Sequence, residues 1–242
     1  MTDVTAVISQ TQVTATVAQS QVTATVERTV LEFSPNQVEG LEAWYDASDT
    51  DQLTLDGVKV TQWKDKSGNL RHLTQATDSK KPTYNSANNR VYFYRPDAQC
   101  LASADFTINQ PLTIYMKVKQ FSVNVDVHYV LSGPGMVNRI LFYLFSGVVR
   151  LNAGASFVGP AIDANPRVIT ALVNGAASEV LVDAASKTGA AGAYPVRGVM
   201  LGGSPPASET DYLRGHIYQV LVYSGIHNAA VQAEIITWLN KK

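Results

Sequence analysis

Along most of the chain, short apolar runs alternate with polar positions and stop at turn residues. "LTIYMKVK" (112–119) is the clearest case. Leu112, Ile114, Met116 and Val118 fall on one side, and Thr113, Tyr115, Lys117 and Lys119 on the other. A period of two is the mark of a strand with one face in a core. Comparable runs are "RVYFY" (90–94), "VHYVLS" (127–132), "RILFYLF" (139–145), "VVRLNA" (148–153), "RVITALV" (167–173), "EVLVDA" (179–184), "GVMLGG" (198–203) and "HIYQVLVYS" (216–224). Gly133-Pro134-Gly135, Gly159-Pro160, Asn165-Pro166, Asn174-Gly175 and Pro205-Pro206 punctuate them. Many short strands at close spacing predict a sandwich or barrel. The period changes in "NAAVQAEIITWLNKK" (228–242), where Val231, Ile235, Trp238 and Leu239 share one helical face. Asn228 suits the N-cap, and Lys241 and Lys242 suit the C-terminal end of the helix dipole. A short amphipathic helix docked on the sandwich is the predicted finish.

The first thirty residues follow another rule. Gln-Val-Thr-Ala-Thr-Val begins at Gln12 and again at Gln21, nine residues later. Val13, Ala15 and Val17 alternate with Thr14 and Thr16, and Val22, Ala24 and Val26 with Thr23 and Thr25. β-branched residues favour a pleated strand over a helix. Nine is odd, so an unbroken strand would turn the second copy's valines to the opposite face. Such a strand cannot bury its valines alone, and an open edge recruits partners. Two readings stand: an arm (1–33) for attachment or oligomerisation, and a disordered leader. Ser34-Pro35-Asn36 marks the boundary, with a globular domain over 38–242.

Composition narrows the function. Hydrophobic residues make up 45% of 242 positions and charged residues 16%, enough apolar content for a large core. A formal net charge of -1 offers no general basic field for nucleic acid or an anionic membrane. The lone Cys100 precludes an intrachain disulfide and reads as a buried thiol. No stretch reaches the ~18 apolar residues of a membrane span, and the start of the chain carries no secretion signal. The expectation is a protein left in the cytoplasm where it is made.

"GLEAWYDASD" (40–49), "VTQWKDKSGNLRHLTQAT" (60–77) and "KPTYNS" (81–86) resemble the opening of concanavalin A-like, laminin-G-type jelly rolls. "ITALVNGAASEVLVDAASKTG" (169–189) and "MLGGSP" (200–205) resemble that family's paired strands, and 213–242 resembles its closing strand and helix. The resemblance spans residues 38–242. It implies an all-β jelly-roll sandwich with a short C-terminal α-helix, preceded here by the β-type arm. The fold hosts lectins, accessory modules of hydrolases, adhesins and virion proteins. Domains with this opening occur in phage structural proteins, which implies capsid decoration or a tail or fibre component. Calcium is common at the rim of laminin-G-type domains. Asp46, Asp49 and Asp65 (with Asp51) are the candidates here, although Asp65 and Asn69 equally suit an Asx-turn.

Hydrolases of this fold that cut β-glucans carry a Glu-x-Asp-x-x-Glu or Glu-x-Asp-x-Glu strand, which is missing from this chain. Glu179 and Asp183 lie four residues apart, which is ~13 Å along a strand. A retaining glycosidase needs its carboxyls ~5–5.5 Å apart. No nucleophile elbow, phosphate loop or histidine metal spacing is present. No catalytic residue is therefore assigned, and no cofactor beyond the calcium question. For a glycan the needed parts are exposed rings and planar polar groups. The shortlist is Asn69, Arg71, His72, Tyr84, Tyr94, Tyr194, Tyr212 and Arg214. The leading expectation is a non-enzymatic virion protein. Its arm would bind other virion proteins or make a homo-oligomer, and its jelly roll would meet a host surface polysaccharide. It would involve no nucleic acid and no membrane. A stand-alone lectin-like module is the alternative, and a glycan-active enzyme the minor one.

Overall fold

The computed structural model describes residues 32–121, 126–135, 137–205 and 211–242. The arm residues Val13 to Val17 and Val22 to Val26 lie outside the described residues. Phe33–Lys242 forms one unit, an antiparallel all-β sandwich with, among the described residues, a single α-helix at its C-terminal end.

The sandwich is organised around the strand Gly215–Ser224, buried at every position except its last. One edge pairs with Leu112–Gln120 along its full length. The other edge is shared: Arg90–Phe93 pairs with the first part and Leu41–Asp46 with the second. Arg167–Val173, Ser178–Val182 and Ala185–Gly189 extend the sheet beyond Leu112–Gln120. A meander of His128–Ser132, Leu141–Phe145, Val148–Asn152 and Ser156–Ala161 supplies the other half of the core. Leu112, Ile114, Met116 and Val118 pack with Phe142, Leu144, Val149 and Leu151 in a single cluster. This agrees with the period-two reading of residues 112–119. The opposite face is covered at its first half as well, where Thr113 and Tyr115 are fully buried. They lie beneath the C-terminal helix and the turn that leads into it.

Gly215–Ser224 departs from strict alternation. A bulge lies between Ile217 and Gln219 in its pairing with Leu112–Gln120. An extra residue in one strand inverts the facing of everything after it. Ile217, Val220 and Val222 therefore all enter the main core. Leu221 and Tyr223 turn outward and join Trp44, Tyr115 and Val168 under Ile235 and Leu239 of the helix. The helix, Ala229–Lys241, keeps the predicted face and cap: the Val231 amide donates to the Asn228 side chain at 3.0 Å. Trp44 meets Trp238 edge-on at 5.8 Å. His227, before the helix, is buried against Tyr223 and its Nδ1 lies 2.9 Å from the Tyr115 hydroxyl.

Cys100 is buried, its thiol pushed up by burial. Trp63 is fully buried in the core. Asp65 is buried as well and ties three segments together. Its carboxylate accepts from the amides of Trp44 (2.9 Å), Ser67 (2.9 Å) and Arg71 (3.0 Å) and from the Ser67 hydroxyl (2.8 Å). Among the described residues, no helix is long and apolar enough to cross a membrane.

Two predictions follow from these buried groups. Asp65→Ala leaves three amide donors without their acceptor, which should cost about 3–5 kcal/mol in urea unfolding. Asp65→Asn, which keeps one carbonyl oxygen, should cost less. Burial holds His227 down to about 4, against an ordinary 6.5. Between those values the unfolded chain binds the proton and the fold does not. Stability should therefore fall as pH drops from about 6.5 towards 4, by an amount on the order of 2–3 kcal/mol for this ring. Urea midpoints measured across that window should fall more steeply for the native protein than for His227→Gln.

Candidate functional site

The outward face of the three strands Arg90–Phe93, Gly215–Ser224 and Leu112–Gln120 is half covered. The helix lies over its Tyr223 end. Beyond the bulge the face continues without a helix, and the register there orders nine side chains. His216 stands opposite Tyr92 on one side and Lys119 on the other. Alternation places Tyr94, Arg214 and Phe121 in the row before. In the row after, the bulge sets Gln219 opposite Lys117, with the extra residue Tyr218 between Lys117 and Arg90 by its contacts. Strand spacing makes this array roughly 10 Å by 13 Å between its outermost Cα positions.

The contacts agree with that register. The Tyr92 ring lies 6.2 Å from Tyr94, 5.4 Å from Phe121 and 5.4 Å from His216. Phe121 meets His216 edge-on at 4.6 Å. The rings thus form one continuous platform. Tyr94 and Phe121 are its open members, 37% and 40% exposed. The Arg90 guanidinium donates to the Tyr218 hydroxyl at 3.2 Å. Lys117 lies 5.5 Å from the Tyr218 ring and donates to the Leu239 carbonyl at 2.9 Å, which ties the array to the end of the helix. Lys119 sits 5.8 Å over Phe121, and Arg214 is hydrogen-bonded to Tyr92.

The electrostatics follow from this arrangement. His216 is pushed down to about 4, first by burial and then by the nearby cations Arg90 and Lys119, so its ring is neutral near pH 7. Its Nδ1 is buried and has no hydrogen-bond partner. Burial lowers Lys117 and raises the Tyr92 hydroxyl. Flat apolar faces, phenolic hydroxyls and guanidinium donors on one sheet surface can stack sugar rings and hydrogen-bond their hydroxyls.

Of the glycan shortlist, Tyr94 and Arg214 stand on this platform and the others stand elsewhere. Asn69 donates to the Leu41 and Glu42 carbonyls. Arg71 pairs with the Glu42 carboxylate at 2.7 Å and lies 4.2 Å over Phe106. His72 Nδ1 accepts from the Asp65 amide at 3.1 Å. These three serve the loop that Asp65 organises. Tyr84 is buried with its hydroxyl on Asn89. Tyr194 packs over Gly154, and Tyr212 over Gly203. Sequence reasoning missed Arg90, Tyr92, Lys117, Lys119, Phe121, His216 and Tyr218. The available signal was an outward row of rings and cations in each of three alternating runs.

The calcium candidates do not fit a metal site. The Asp65 oxygens are occupied by four donors. Asp46 accepts from the Ser48 amide and hydroxyl and from Gln219. The Lys66 ammonium stands 2.7 Å from Asp49 and 3.7 Å from Asp46, where a cation would have to sit. Among the described residues, no group of three His, Cys, Asp or Glu side chains converges on a metal position. Glu179 and Asp183 also fail to form a facing pair. Glu179 stands in a strand opposite Thr188, and Asp183, in the following turn, is held by Arg167 at 2.9 Å.

No family model matches the chain, and no curated protein matches it in sequence. Solved structures match it in shape. Trypanosoma rangeli sialidase, in complex with the inhibitor DANA, superposes with a TM-score of 0.55 at 13% identity, over 81% of this chain and 32% of the sialidase. This chain thus spans about a third of that enzyme's length. Domain 4 of AbnA, a GH43 extracellular arabinanase from Geobacillus stearothermophilus solved with arabinotriose, gives 0.55 at 12% identity, over 81% of this chain and 98% of the domain. An arabinofuranosidase complexed with arabinofuranosyl-α-1,2-xylobiose gives 0.53 at 15% identity, over 74% of this chain and 50% of that one. At these identities the likeness is one of fold. It defines the class: an all-β sandwich of the jelly-roll type, shared with domains of carbohydrate-active proteins.

Proposed function

We propose that Phe33–Lys242 is a non-enzymatic carbohydrate-binding domain whose ligand lies across the Tyr92–His216–Lys119 platform. The observation that carries this reading is the continuous ring surface on three adjacent strands, with two rings open and donors interleaved. The fold likeness to domain 4 of AbnA supports it, because nearly all of that domain is matched and it was solved with a sugar oligomer. Catalysis plays no part in this reading: the platform row holds rings and cations, and the Glu179 and Asp183 carboxylates stand apart from it.

The arm gives the domain its setting. The nine-residue repeat and the resemblance to phage structural domains support display on a virion, with the arm making the attachment and the domain meeting a host surface polysaccharide. A stand-alone lectin-like module is the alternative, and the arm decides between them.

Two experiments test these readings. Glycan-array binding should be seen for the native protein and should fall about tenfold or more for Tyr94→Ala with Phe121→Ala. Both rings are exposed, so the melting temperature should hold; unchanged binding would remove the platform as the site. Light scattering after size exclusion, on residues 1–242 beside residues 33–242, should show an oligomer that becomes a monomer on truncation. Two monomers would remove self-assembly as the arm's role.

A further inference from the structure

We propose that the platform's ligand is an acidic polysaccharide, one with carboxylates on its sugar rings. This rests on the carbohydrate reading above and names its ligand class. The argument starts from what holds the cations in place. Arg90 is fixed by the Tyr218 hydroxyl, Lys117 by the Leu239 carbonyl, Lys119 by the Phe121 ring and Arg214 by Tyr92. Among the described residues, none of the four is in an ion pair, although ten ion-pair contacts are found elsewhere on the domain. Each cation is positioned by a neutral group, so its charge is oriented but not cancelled.

The nine-residue array contains no carboxylate. Three acids border it: Asp46, one strand beyond Gln219 from Lys117, is already engaged by Gln219 and Lys66; Asp126 is paired with Arg95 at 2.8 Å; and Asp97 acts on the Tyr92 hydroxyl. The array therefore carries four positive charges in a chain whose formal net charge is -1. Neighbouring cations in it stand roughly 7–10 Å apart by strand geometry, about one Debye length, so they repel one another. A local arrangement that opposes stability without visible compensation is expected at a functional site. A ligand with regularly spaced negative charge supplies that compensation.

The rings decide between kinds of polyanion. Their centroids are 4.6–6.2 Å apart and they pack on one another. Single-strand binders stack successive bases on separate open rings along a groove, whereas here the rings cover one another and only Tyr94 and Phe121 are open. What they offer is a broad surface on which a sugar ring lies flat, bordered by cations that reach its substituents. Guanidinium groups at Arg90 and Arg214 match a carboxylate with two donors each.

The test uses matched pairs that differ only in charge. Polygalacturonate, alginate and hyaluronan are each compared with their own methyl ester by affinity electrophoresis, at about 50 and 200 mM salt. Heparin and a twenty-nucleotide oligothymidylate are run beside them. At least one acidic form should bind about tenfold more tightly than its ester, and more weakly as salt rises. Lys119→Gln with Arg214→Gln should abolish that preference, so that the acid and its ester bind the variant equally. Lys187→Gln, on a strand outside the array, should change nothing. Equal binding of acid and ester would leave the carbohydrate reading standing and overturn the charge inference. Preference for no acidic form, or tighter binding of heparin or oligothymidylate than of any polyuronate, would overturn it too. A double variant that keeps the preference would place the charge recognition elsewhere and overturn the assignment to this face.

Discussion

A strand buried on both faces and paired on both edges has no surface of its own. Gly215–Ser224 is in that position, and the fold depends on how its two faces are divided. Its inner face must supply aliphatic side chains to the core. Its outer face needs cover, and the helix is too short to provide it along the whole strand. The bulge at Tyr218 and Gln219 is the device that makes the division. Without it, Val220 and Val222 would face outward with His216, and Leu221 and Tyr223 would enter the core in their place. With it, the core receives three aliphatic residues in a row of three, and the helix receives Leu221 and Tyr223. The same irregularity pairs Gln219 with Lys117 while Tyr218 stays outward against Lys117, so one bulge ends the helix-covered half and begins the platform.

The loops answer to a second constraint. Residues 65–72 have the composition of a binding loop: an acid, a serine, an asparagine, an arginine and a histidine. They are nevertheless consumed internally. Asp65 draws amides from both sides of the loop and from Trp44, and His72 caps the Asp65 amide in return. A buried carboxylate needs several donors to be tolerated, and nearby polar groups are the cheapest source. Polar side chains next to a buried acid therefore indicate structure before they indicate a ligand.

This explains what could and could not be seen in the sequence. Strand positions were legible because period-two alternation is local, as at Leu112 to Val118. The helix and its Asn228 cap were legible for the same reason. The all-β class followed from the number of such runs. The platform was not legible, because it is made by register. Tyr92 and Lys119 come from runs 27 positions apart and His216 from one more than ninety positions further along the chain, and no local rule says that they meet. Tyr94 and Arg214 stand out one by one as residues of a suitable type, while nothing local marks their neighbours as parts of a shared face. The bulge was equally hidden, since "HIYQVLVYS" reads as an uninterrupted strand.

The charge of the platform bears on how the domain trades stability for use. An outward sheet face costs least when it carries opposite charges across the strands, since such pairs stabilise and like pairs do not. Elsewhere the chain neutralises strand cations with acids from adjoining loops, as in the Arg167–Asp163 and Arg197–Asp105 pairs. On the platform it does not. Arg90 and Lys117 flank Tyr218, and Lys119 follows two residues after Lys117 on the same face, so like charge meets like charge across and along the strands. Hydroxyls, rings and a helix-terminal carbonyl steady these side chains without neutralising them. Neutral His216 completes the middle row, because burial first, and then the cations Arg90 and Lys119, keep it from taking a proton and adding a further charge. The array is thereby held at the charge it has, in a fixed geometry, over rings that need no reorganisation to receive a flat ligand. Preorganisation of that kind lowers the cost of binding, and the repulsion stored in the free face is relieved only when an anion arrives.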